Sequence, residues 1–150
     1  MFKITSDLTM VLRKELDVAI TGPGQPLASG VTGTWVTLDS NGKATLTTGA
    51  TGLAFPIWNE SYRDGTVGAF TPDVVNSKRV SVIVGKIFAT TDQFTNSPSI
   101  SKGDPLTTGA NGKLVKATIG TDPIVAYCVK ASYSVTYFGV SRNAIDIVTV

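Results

Sequence analysis

The sequence of 150 residues contains no histidine, one cysteine, two methionines and, as glutamate, only Glu15 and Glu60. Without histidine there is no Ser-His-Asp triad, no Cys-His pair and no imidazole metal ligand. A lone Cys128 excludes an internal disulfide framework and any cysteine-based metal knuckle. So few glutamates argue against a glycosidase-like carboxylate pair. Charge is also sparse, at 16% of residues and a net of +2. The 13 basic residues are scattered, with Arg13-Lys14 and Lys78-Arg79 the only adjacent pairs, so no phosphate-binding stripe forms and no nucleic-acid partner is expected. No apolar run approaches the ~20 residues that span a bilayer, and the N-terminus lacks the apolar region of a secretory signal. The expectation is a chain folded in a cytoplasm with no membrane partner.

What remains is rich in turn and strand formers. Fifteen glycines, seven prolines and 21 threonines favour β-structure over helix. The expected fold is all-β, a single-domain antiparallel β-barrel or β-sandwich with long loops and an N-terminal arm. Residues 1–26 read as that arm with its Gly/Pro hinge, and residues 27–150 as the β domain. Within the arm, Ser6 or Asp7 is placed to cap a short helix through Leu8, Val11, Leu12 and Glu15, while Leu16, Val18 and Ile20 alternate as in a strand. Thr21-Gly22-Pro23-Gly24-Gln25-Pro26 breaks any regular element.

The body follows as strands joined by turns. Residues 35–38 and 43–47 flank Asp39-Ser40-Asn41-Gly42, a hairpin signal of the Asn-Gly type. Pro56 marks the apolar segment 53–58 as an edge or bulge, because proline cannot donate to a ladder. Residues 80–89 read as one strand, 90–101 as a polar surface connection around Phe94, and 133–140 and 144–150 as two final strands. Two Thr-Thr-Gly-Ala segments, Thr47 to Ala50 and Thr107 to Ala110, each adjoin an Asn-Gly-Lys turn.

The organising stretch is residues 102–131. Gly103-Asp104-Pro105 is turn chemistry, Asn111-Gly112 a second hairpin signal, and residues 124–129 a short apolar strand whose two faces both read as covered. Cys128 sits in that strand as a small hydrophobe. A Gly-Asp-Pro-Leu turn, an Asn-Gly-Lys-Leu-Val-Lys-Ala hairpin, the Ile124-Val125-Ala126-Tyr127 strand and a final Ala144-Ile145-Asp146-Ile147-Val148 strand together resemble the small β-barrel decoration, or cement, proteins of tailed-phage heads. The resemblance covers roughly the last third of the chain and consists of turns and strands. It implies a virion protein on the outer capsid surface, made in a bacterial host, whose partners are the major capsid protein and its own copies in a trimer or dimer.

No catalytic residue, cofactor site or metal site is expected. Ser77-Lys78 and Ser101-Lys102 lie in polar turns, and Asp39, Asp64, Asp104 and Asp122 stand beside Gly, Asn or Pro, where turns use them. Candidate capsid or subunit contacts are the aromatics Trp58, Tyr62 and Phe70 and the arm residues Met10 and Leu12, because aromatic anchors dominate many interfaces. Core packing is the competing reading for each. Two other readings stay open: a tail-tube or head-completion virion protein, and a carbohydrate-binding β-sandwich module stacking sugars on Trp35, Trp58 or Tyr137.

Overall fold

A computed structural model describes residues 2–5, 12–17, 33–58, 79–137 and 139–150. The protein is all-β. Eleven strands are described: β1 (Phe2–Ile4), β2 (Leu12–Asp17), β3 (Trp35–Leu38), β4 (Ala44–Leu46), β5 (Phe55–Pro56), β6 (Arg79–Val84), β7 (Phe88–Thr91), β8 (Pro105–Thr108), β9 (Leu114–Lys116), β10 (Ala126–Tyr137) and β11 (Val140–Thr149). Every ladder among the described residues is antiparallel. One sheet has the order β1-β7-β11-β10-β8-β9; a second runs β4-β3-β5; β2 and β6 form a third. A bridge between Ile57 and Val82 joins the two smaller sheets. No ladder among the described residues closes a barrel. The outer strand β9 returns to the chain after β7 only through a parallel bridge, where Thr95 N–H donates to Leu114 O at 2.8 Å and Leu114 N–H to Gln93 O at 3.0 Å.

The N-terminal segment supplies strands. Phe2 is buried and β1 pairs with β7, while β2 pairs with β6 from Leu12–Val84 to Asp17–Arg79. Leu12 and Glu15 therefore lie in a strand, as tertiary pairing decides, while Ser6, Asp7, Leu8 and Val11 of the expected capped helix lie outside the described residues. The expected hinge, residues 21–26, lies outside the described residues.

Alternation explains why two apolar clusters form. Successive side chains of a strand point to opposite faces. Trp35 of β3 and Ile83 of β6 enter a cluster with Ile87, Leu106, Leu114, Cys128, Ile145 and Ile147. Their neighbours Val36 and Val82 enter a second cluster with Ala44, Leu46, Ile57 and Val80. The layer containing β3 and β6 is thus apolar on both faces. At about 25 cal/mol per Å², each large side chain buried this way contributes roughly 1.5–3 kcal/mol.

Several local expectations are revised. The run 80–89 is two strands, broken at Gly85, whose φ of 126° suits only glycine. The connection 90–101 is not purely superficial: Ile100 is buried and Phe94 packs on the first cluster. The strand 124–129 begins at Ala126 and is buried on one face only, since Tyr127 is 39% exposed. Pro56 does lie in a two-residue strand, and Pro105 opens β8, the position where proline is tolerated.

Both Asn-Gly signals mark hairpins, but neither is a two-residue turn. Between β3 and β4, Asp39 Oδ1 accepts from Asn41 N–H (2.8 Å) and Lys43 N–H (2.9 Å), and only Gly42 takes a positive φ. Between β8 and β9 a 3₁₀ turn, Ala110–Gly112, places both Asn111 (φ 58°) and Gly112 (φ 68°) in the left-handed region. The Thr-Thr-Gly-Ala segments beside these turns bond to each other. Thr47 Oγ1 donates to Gly109 O at 3.1 Å, and Thr108 Oγ1 donates to Gly49 O at 2.8 Å. This exchange locks the three-stranded sheet onto the six-stranded one.

Candidate interaction surface

Trp58 and Leu12 are the two expected contact residues that lie among those described; Met10, Tyr62 and Phe70 fall outside them. Trp58 follows β5, donates its backbone N–H to Ser81 O at 3.0 Å and rests half-buried on the first cluster. Leu12 opens β2, is 71% exposed and pairs with Val84, which packs on the second cluster. Strand β6 therefore separates the two residues onto different faces, and they do not form one patch. Leu12 alone has the exposure a contact needs.

Leu12 is not isolated. Its partner Val84 lines a surface cavity of about 180 Å³ together with Trp35, Leu53, Phe55, Ile124 and Val150. Leu53 and Val150 are 55% and 61% exposed, so the rim is apolar as well as the floor. A second apolar row crosses the outer face of the large sheet, where Phe88 pairs with Val148 and Val148 with Tyr127. Phe88 is about half exposed there. Both features surfaced only once strands distant in sequence had been paired.

Several aspartates among the described residues serve turns and ladders. Asp104 Oδ2 accepts from Ser101 N–H at 2.7 Å and meets Lys116 Nζ at 2.8 Å. The Lys116 ammonium, and then the Ser101 N–H, hold this carboxyl below the usual carboxylate range. Asp122 Oδ2 accepts from Thr118 N–H at 2.7 Å. Asp146 Oδ1 accepts from Thr90 Oγ1 (2.7 Å) and Tyr133 OH (2.8 Å), and Asp92 Oδ2 pairs with Arg142 at 3.0 Å. Burial, helped by that bond to Asp146, pushes the Tyr133 hydroxyl above its ordinary value. Burial likewise raises the Cys128 thiol, with the Asp104 carboxylate adding to it, so a reactive thiolate is disfavoured. No group of three or more Cys, Asp or Glu side chains among the described residues is placed to hold a metal.

The most prominent feature is the β10–β11 ribbon. Strand β8 accompanies β10 only at Ala126 and Tyr127, and β7 accompanies β11 only from Ile145 to Val148. Beyond these points the two strands run on together, from Tyr133–Ala144 to Tyr137–Val140, with register shifts on both sides of Lys130. Ser132, Ser134, Thr136, Ser141 and Asn143 are exposed. Tyr133, Val135 and Arg142, on the opposite face, are half-buried. At the base, Lys130 Nζ sits 3.8 Å over the Tyr133 ring and the Arg142–Asp92 pair ties the ribbon to the end of β7. Sequence inspection found strands at 133–140 and 144–150 but missed that they form a single hairpin. The strict alternation of hydroxyl and larger side chains over residues 132–136 was the available signal.

No protein-family model matches the chain, and no curated protein matches its sequence.

Proposed function

We propose that this protein is a structural virion protein that binds the outer surface of a phage capsid and bridges neighbouring capsomers. Its partners in this reading are the major capsid protein and further copies of itself, as a dimer or trimer. The observation that carries the reading is the continuity of the segments behind the resemblance. The Gly103-Asp104-Pro105 turn, the β8–β9 hairpin, β10 and β11 are adjacent strands of one sheet. Two of their carboxylates brace that architecture: Asp104 ties the turn to Lys116 on β9, and Asp146 joins β7 to β10. Exposed apolar groups, Leu53 and Val150 at the cavity, Leu12 opposite the lining residue Val84, and Phe88 on the sheet, supply contact area of the kind that anchors a partner.

Mechanistically, a protein that binds the expanded shell better than its precursor stabilises the expanded state in proportion to that difference. Many copies make a small preference per site large for the whole particle. The test is copy-counting mass spectrometry on virions from the source, with heads separated from tails. Recovery from heads in numbers comparable to the major capsid protein supports the reading. Recovery with tails moves it to a tube or head-completion component, and absence from virions overturns both. The carbohydrate-binding alternative loses its first platform, because Trp35 is 1% exposed and buried in the core. Trp58 is half-buried against the same cluster.

A further inference from the structure

We infer that the ribbon carries a self-association edge: the outer side of β10 over residues 131–137 pairs antiparallel with the same edge of a second copy. The inference deepens the self-association part of the capsid reading, yet it rests on the ribbon alone and is tested without capsids. Four observations lead to it. After Cys128, which exchanges backbone hydrogen bonds with Gly103 and Asp104, this side of β10 has no strand against it among the described residues. An edge of this length presents a row of free N–H and C=O groups, which natural proteins usually blunt with lysine or proline. From Ala131 to Tyr137 there is neither, and no charge of either sign. A two-stranded ribbon alone in water is also marginal, and a third strand stabilises it.

The composition selects the occupant. Centred on Ser134, the sequence reads nearly the same in both directions: Tyr133 stands opposite Val135 of the second copy, and Ser132 opposite Thr136. The first is an aromatic against a β-branched side chain, the second a hydroxyl pair, both favourable cross-strand combinations. The matching exposures agree, with Ser132, Ser134 and Thr136 exposed on one face and Tyr133 and Val135 half-buried on the other. The other edge of the ribbon offers no such match, since a two-fold through β11 would set Arg142 near its own copy. A four-stranded sheet β11-β10-β10-β11 results, in which the symmetry is closed and the interface isologous.

Sedimentation of the purified chain over a dilution series measures the assembly, and the expected species is a reversible dimer. Ser134→Lys places two like charges face to face at the two-fold and is expected to weaken the dimer roughly tenfold or more. Ser134 is exposed and its hydroxyl bonds that of Ser141 (2.9 Å) at the surface, so an unchanged circular dichroism spectrum is expected for the variant. Ser134→Cys is expected to form a disulfide-linked dimer on mild oxidation, whereas Asn143→Cys, on the far strand of the same face, is not. A monomer at every concentration overturns the inference. So does a trimer, which a two-fold cannot build, or a dimer indifferent to Ser134→Lys.

Discussion

The two Asn-Gly-Lys turns provide an internal comparison in which local sequence is constant and tertiary surroundings differ. Gly42 has a φ of 73° and Gly112 a φ of 68°, so alanine is conformationally strained at both. That left-handed conformation costs a non-glycine residue about 1–2 kcal/mol. At Gly42 a Cβ would meet nothing within 4 Å. At Gly112 it would lie 2.8 Å from Trp35 O, 2.9 Å from Trp35 N and 3.0 Å from Thr34 Cβ. Two of these neighbours are backbone atoms of a strand whose Trp35 side chain is buried in the main core, so they have little room to retreat. Overpacking of this kind adds about 1–3 kcal/mol. Gly42→Ala is therefore expected to cost about 1–2 kcal/mol and Gly112→Ala about 2–5 kcal/mol, as the sum of both effects. Gly112 N–H also donates to Thr47 O at 3.0 Å, so displacement strains the contact between the sheets. Urea unfolding of both variants, with the slope checked for constancy, reads the difference directly. Equal midpoints for the two variants would refute the argument that close approach to β3, and not the turn alone, demands glycine at 112.

The remaining predictions follow from single contacts. Thr149 Oγ1 accepts from Ile87 N–H and donates to Gly85 O, both at 2.8 Å, in a buried position. Thr149→Val keeps the shape but leaves the buried Ile87 N–H without its acceptor, at an expected cost of about 1–3 kcal/mol in thermal or urea unfolding. Ile147→Ala removes a fully buried side chain from the first cluster and is expected to cost about 2–5 kcal/mol by the same assays. Asp104 has a depressed carboxyl pKa, so its contribution is present above the ordinary carboxylate value and is lost as pH falls through the lower folded value. The stability gap between wild type and Asp104→Asn, measured by urea unfolding, should thus be open at neutral pH and close in acid. Cys128, buried with a raised thiol pKa, should react with a water-soluble thiol reagent only at the rate at which the chain opens. Rapid stoichiometric labelling in native buffer would contradict that burial.

Legibility tracked the range of the forces involved. The apolar alternation of Val80, Val82 and Ile145, Ile147 was visible because burial of one face writes a period of two into the sequence. Turn positions were visible because Gly, Asn, Asp and Pro are chosen by local backbone geometry. The exact turn types were not, since the loop at 109–113 is shaped by Trp35 and Thr47, more than sixty residues away. Of the expected contact residues, Trp58 went largely to the core and Leu12 to the surface, a distinction that hydrophobicity alone does not contain.

By itself, then, the sequence determined the β class, the strand-and-turn rhythm and a core role for Cys128, because local propensity and alternation act within a few residues. Tertiary structure decided the rest: that Phe2 joins the core beside β7, that two Thr-Thr-Gly-Ala segments clasp each other, and that β10 outruns β8 with no further strand against that edge among the described residues. Those outcomes depend on which strands meet. Pairing is set by the burial of whole faces against one another, which no single stretch of the chain records.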